Sequence, residues 1–376
     1  MTASHASPLA HRDPDRAWVA SRKGLVELRR RRAGWALSRT SFLGEPVTML
    51  LPPRADGRML AALNLGHFGV KLHASDDAGL TWREVAAPTY PEQPKDAPGP
   101  AWKLQLVWAL EATGSTGNEC GNECIWAGTI PGGLFRSTDF GTSWQLVESL
   151  WHREERLGWF GGGYDAPGIH SICPHPARPD ELLLALSCGG AWITRDGGST
   201  WHQTAHGMRA DFMPPEMATD PNIQDAHRIV RCPAQPEVLW CQHHGGIWRS
   251  TDEGASWHEL QATPSSFGFV VAVHPQAADT AWFVPAIKDE KRVPVDGALA
   301  VTRTQDGGRS FEALREGLPQ QGCYDLVYRH GLDVGADGRT LLMGSTTGNL
   351  WASDDGGERW TQVSAHLPPI AAVRIG

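Results

Sequence analysis

Short apolar runs broken by glycine, proline and charged turns follow one another along the whole chain, and their pattern is that of strands rather than helices. Cys173-Pro174, Cys232-Pro233 and His274-Pro275 each end one such run, and a second apolar run follows, as at 182–186 and 238–241. Gly133, Gly190 and Gly246 then open a third, reading Leu-Phe-Arg, Ala-Trp-Ile and Ile-Trp-Arg. Four residues after each of these glycines comes a Ser or Thr that begins a recurrent turn, and a tryptophan after the turn starts a fourth strand.

That turn reads Ser/Thr-x-Asp-x-Gly-x-Ser/Thr-Trp, with its aspartates at Asp77, Asp139, Asp196 and Asp252. Weaker copies carry Asp306, followed by Phe311, and Asp355, where Arg359 replaces the second hydroxyl. The six aspartates stand 62, 57, 56, 54 and 49 residues apart, a period that signals a repeat architecture. In such a turn the carboxylate accepts backbone N–H groups, the hydroxyls close the loop and glycine supplies positive φ. These six aspartates are therefore assigned to folding and not to chemistry. Four strands per repeat suit a propeller blade.

The turn resembles the Asp-box, or BNR, repeat of sialidases and related β-propellers. That resemblance implies an all-β propeller with the Asp-box hairpins on the rim opposite the ligand face, and it leaves the activity open because one fold hosts many. Residues 18–21, 25–29 and 34–35 have the spacing of a seventh, degenerate blade that lacks its inner strand. Residues 370–375 can supply it, which pairs the two ends of the chain and removes an open edge. The expectation is a seven-bladed β-propeller as one domain over residues 1–376, with 1–16 as an N-terminal arm; six blades with decoration is the alternative.

Composition changes the picture little. The 17 Trp, 42 Gly and 27 Pro fit blade packing and many short turns. A net charge of −8 argues against nucleic acid as a partner, and the one basic run, Arg29 to Arg32, reads as a solvated rim. No apolar run reaches the length of a membrane span, and the first residues lack the regions of a signal peptide, so no membrane partner and a cytoplasmic setting are expected. Seven Cys, mostly inside strands, are expected to be reduced thiols. Cys120-Gly-Asn-Glu-Cys124 lacks the second pair that a zinc site would need and reads as a loop with two incidental thiols.

Candidate chemistry gathers on the opposite face, where long segments at 88–102, 149–170 and 206–227 lead into inner strands and 285–296 joins two strands. His170 and His227 stand at equivalent strand mouths, with Asp165 and Asp225 just upstream. His243 ends a second strand beside them, and a slip of one residue would put His244 in its place. His170, His227 and His243 are expected to converge over the axis, with Asp225 orienting a ring. Neutral imidazoles there can hold a divalent transition metal or move protons. Substrate contacts are expected from His67, Trp102, Lys103, His244, Glu290, Arg292, Tyr324 and Asp325.

Three functions follow. A carbohydrate-active hydrolase would use two carboxylates drawn from Asp165, Asp225, Glu290 and Asp325. The sialidase signature itself is missing, because Ala20-Ser21-Arg22-Lys23-Gly24 stands where the early Arg-Ile-Pro would be. A lyase acting on a carboxylated small molecule or oligosaccharide would use a neutral histidine as base, beside a metal or Lys103. The alternative to both is a non-catalytic propeller that binds a ligand or a protein.

Overall fold

The computed structural model describes residues 13–114, 124–161 and 163–376. Within them, 28 strands form seven four-stranded antiparallel sheets arranged as a ring, a seven-bladed β-propeller. The inner strands are Ile370–Ile375, Val47–Leu51, Leu106–Ala112, Ile169–Pro174, Ala226–Arg231, Gly268–Val273 and Leu332–Val334, numbered here as blades 1 to 7. Blade 1 is closed as the sequence suggests: Val19 pairs with Val373 and Trp18 with Arg374. Arg29 pairs with Glu27 inside blade 1, and Arg30 reaches Asp354 of blade 7 at 2.9 Å, so one arginine of the basic run ties the first blade to the last.

The repeated turn is built as its residues require. Asp252 Oδ1 accepts from Ser250 Oγ at 2.7 Å and from the Ser256 amide at 2.9 Å, while Oδ2 accepts from Ser256 Oγ at 2.6 Å. Gly254 has φ +88°, and a Cβ there would stand 2.7 Å from Thr204 Oγ1. The tryptophan after the turn then reaches the preceding blade: Trp257 Nε1 donates to Thr204 O at 2.6 Å and Trp144 Nε1 to Ala86 O at 3.0 Å. Second-strand tryptophans tie forward, Trp240 to Ala278 O and Trp282 to Gly356 O, both at 2.9 Å. Asp252→Ala should therefore cost about 1–2 kcal/mol, from the hydroxyls and amide left without an acceptor on a largely exposed turn. Urea titration measures this, and an unchanged midpoint would refute the folding role.

The cysteines depart from expectation. Cys173, Cys188, Cys232, Cys241 and Cys323 are buried and free. Cys124, however, is disulfide-bonded, against the expectation of reduced thiols throughout. Cys120 and most of the arm at 1–16 lie outside the described residues. Among the described residues no helix is long and apolar enough to cross a membrane.

Candidate functional site at the axis

Six inner strands carry an irregularity near their start. The register of blades 1, 2, 3, 4 and 5 slips at Ala371, Thr48, Trp108, His170 and His227, and that of blade 6 slips across Phe269 and Val270. A bulge turns one side chain out of the alternation, and repeated around a ring it gathers those side chains near the axis. Trp108 lies edge-on to His170 at 5.1 Å, and His227 stacks on Phe269 at 4.4 Å with a 13° interplanar angle. His227 Nδ1 lies 2.7 Å from Gly268 O of the next blade. His170 and His227 thus stand as equivalent strand mouths, as the sequence indicated.

The cluster that forms differs by one residue from the expected one. Asp225 Oδ2 lies 3.3 Å from His227 Nε2 and 3.4 Å from His244 Nδ1. These three side chains bring donor atoms within 4.8 Å of one another. His243 is not part of it: Ala226 pairs with His243, whose buried ring faces back to the Asp225 amide at 3.1 Å and the Gly245 amide at 2.9 Å. Its burial pushes the imidazole down to about 3, so it is a neutral brace beneath the turn that presents His244. His170 does not join the cluster either. It is fully buried, neither ring nitrogen has a hydrogen-bond partner, and burial followed by the Arg329 guanidinium holds its pKa well below the usual range.

Charge at the mouth is arranged around Asp225. Burial alone would raise its carboxyl, but the His227 ring, the contacts of His227 and His244, and Arg329 together hold it well below the usual range. Burial pushes His227 down against the pull of Asp225. Arg329 is buried, with its guanidinium 4.8 Å over Trp108 and 5.6 Å from the Phe269 ring centre, and its Nε and Nη2 have no hydrogen-bond partner. Arg292 lies over Phe269 at 5.3 Å and is paired with Asp289. Phe212 meets His244 at 4.8 Å and Tyr164 meets Trp108 at 5.0 Å, both rings reaching solvent.

Other expected contacts fall elsewhere. Asp325 does not open the last inner strand, which starts only at Leu332; its carboxylate accepts from Ser345, Thr347 and Asn349 within its own blade and is thereby spent. Its neighbour Tyr324 is 73% exposed. Trp102 packs edge-on to Trp151 at 5.3 Å and belongs to the core, and Lys103 beside it is exposed. His67 is exposed in the short turn Gly66–Phe68 and rests on Phe68. Glu290 pairs with Lys288 at 3.2 Å, and Asp165 is exposed. Sequence reasoning missed Trp108, Phe269 and Arg329. The first two could have been found by aligning the inner strands on His170 and His227, whereas Arg329 precedes a late, short strand and left no signal.

Below the mouth the axis is filled. His330 Nε2 lies 2.8 Å from His170 O, and its Nδ1 lies 3.1 Å from an Arg374 Nη2 that also approaches Met49 Sδ at 3.5 Å and Glu111 at 3.6 Å. At the other end, where the inner strands finish, a cavity of about 240 Å³ is lined by Glu111, Arg228, Arg231, Asp333 and Arg374 among others.

No family model matches the chain. A xyloglucanase from a Paenibacillus species is 23% identical over 340 residues, which is 80% of this chain and 30% of that protein. Xyloglucanase Xgh74A of Acetivibrio thermocellus is 24% identical over 163 residues, 39% of this chain and 17% of its own. The chain thus spans less than a third of the length of these relatives. Among solved structures, an ancestral GH74 enzyme superposes with a TM-score of 0.57 at 15% identity, over 96% of this chain and 40% of that one. YCF48 bound to D1 peptide superposes at 0.52 and 16% identity, over 92% and 88%. At such identities the structural likeness shows the fold alone. The kinship given by the sequence matches is with xyloglucanases, and the sialidase kinship expected from the repeat gains nothing from them.

Proposed function

We propose that this propeller is a carbohydrate-active protein of the hydrolase kind, holding an oligosaccharide across the axial mouth where the inner strands begin. The observation that carries the reading is the pairing, at that mouth, of solvent-reaching aromatic rings with buried polar atoms that lack partners. Tyr164 and Arg329, whose Nε and Nη2 lack partners, both pack on Trp108, and Phe212 packs on His244 beside Asp225, the mixture of apolar walls and few convergent polar groups that small-ligand sites use. The xyloglucanase relatives support xyloglucan as the substrate class.

Asp225, held ionised, is assigned the role of base. A glycoside hydrolase also needs a carboxyl kept protonated near neutrality. Among the described residues every carboxyl with a displaced pKa is displaced downward, as Asp225 and Asp325 illustrate. The acid partner is therefore one that becomes buried only with substrate bound, and Asp165, exposed next to Tyr164, is the group we assign. The lyase reading draws on the neutral His170 and His227 but has no relative behind it.

Titration with xyloglucan oligosaccharides and with cello-oligosaccharides, followed by an assay for new reducing ends, tests this. Tyr164→Ala should weaken binding at least about tenfold while leaving the melting temperature unchanged, and Asp225→Asn should lower turnover by about 100-fold or more. No binding of either series at millimolar concentration would overturn the reading. A second reading, a propeller that binds a peptide, is favoured by Phe160, Tyr164, Phe212 and Met217, exposed by 39%, 51%, 40% and 40% on the two segments that lead into blades 4 and 5. A peptide library enriched on the protein, with no response to sugars, would select it.

A further inference from the structure

We infer that Asp225, His227 and His244 bind a divalent transition-metal ion at the mouth of the axis. The argument begins with the His227 proton. Gly268 O, a carbonyl that can only accept, lies 2.7 Å from Nδ1, so Nδ1 carries the hydrogen and Nε2 of the neutral ring presents its lone pair. That lone pair faces Asp225 Oδ2, itself an acceptor, at 3.3 Å. Two buried acceptors held face to face repel each other unless a cation lies between them.

A second proton on His227 is one such cation, but it would draw the pair into a charge-assisted hydrogen bond of about 2.7–2.9 Å. The observed 3.3 Å, and the 3.4 Å from the same oxygen to His244 Nδ1, are longer. Two ligands each about 2.1 Å from a tetrahedral ion stand about 3.4 Å apart, the spacing of both carboxylate–imidazole contacts, and the two imidazoles, within 4.8 Å of each other, would draw together on the ion. The remaining features are those of a metal site. The far nitrogen of His227 is anchored on a backbone carbonyl, which sets ring orientation and tautomer. Asp225 Oδ2 faces both imidazoles, and the buried Cys188 thiol lies against the same carboxylate. The Asp225 backbone is itself held by its amide contact with His243.

Two imidazoles and one carboxylate suit zinc, manganese, iron, cobalt or nickel, and disfavour calcium and magnesium, which want oxygen. His244 is the ligand in contact with solvent, at 20% side-chain exposure, so the open coordination positions face the mouth, where a water or a sugar hydroxyl would enter. This use of the ion rests on the proposed ligand face, whereas the binding itself does not.

Untagged protein, stripped with a chelator and dialysed, is titrated with Zn²⁺ by calorimetry and with Co²⁺ by its visible d–d absorption, in the absence of any sugar. One equivalent is expected to bind in the micromolar range or tighter, with Mg²⁺ failing to compete. His244→Ala and Asp225→Asn should each weaken Co²⁺ binding by at least about 30-fold and alter its spectrum, consistent with loss of a ligand. His258→Ala, on the exposed outer strand of blade 5, should change neither. A melting temperature of metal-free His244→Ala equal to that of the parent excludes misfolding as the cause. Absence of stoichiometric binding, or binding that survives both ligand substitutions, overturns the inference. Metal binding without any sugar binding would instead remove the proposed function and leave the metal site standing.

Discussion

Deleting residues 370–376 is expected to give an insoluble or unfolded chain. The lost strand is the inner one of blade 1, and Ile370, Val373 and Ile375 within it are buried to 4%, 0% and 1% exposure. Burying such side chains contributes roughly 1.5–3 kcal/mol each, on the order of 5–9 kcal/mol together. That is comparable with the whole net stability of a domain, about 5–15 kcal/mol. The deletion also bares one edge of the sheet holding Trp18 and Val19, a template for association between copies. Solubility and sedimentation measure the outcome, and a soluble monomer melting with the parent would disprove the closure.

Acid is expected to unfold the protein well before its carboxylates are neutralised. His170 and His330 are fully buried and held well below the usual histidine range, chiefly by burial; His175, whose Nδ1 caps the Ala177 and Arg178 amides, is pushed down to about 4, also by burial. Each folded pKa lies below the unfolded value of about 6.5, so between the two the unfolded chain binds more protons and stability falls as pH falls. The contribution is fully present above about pH 7 and lost progressively below about 6.5. Each such histidine adds a slope of about 1.4 kcal/mol per pH unit, and three of them about 4. Chemical denaturation at pH 7.5, 6.0 and 5.0 should show this decline, and a flat profile would mean that the rings are not protected. His330→Gln should reduce the slope by about 1.4 kcal/mol per pH unit.

The ring was legible because its signals are local. Each Ser/Thr-x-Asp-x-Gly turn encodes its own geometry within eight residues, and the pairing of Val19 with Val373 could be read from a missing strand at one end and a spare one at the other. The face proposed for the ligand was marked in the sequence by long segments and by His170, His227 and Asp225. The bulges were not, because an extra residue in a strand has no compositional mark, and they decide which side chains turn inward. Choosing between His243 and His244 needed that register: His243 faces a backbone amide on the ladder, and its neighbour faces the carboxylate. Asp325 misled because the residues that saturate it lie about twenty positions downstream.

The stacked His170, His330, Arg374 and Glu111 also make the propeller a vessel with a stopper. Arg374 and Glu111 line the far cavity, so a molecule held there would touch the same side chains that reach, through His330, the backbone of His170 at the mouth, and Arg374 belongs to the strand that closes the ring.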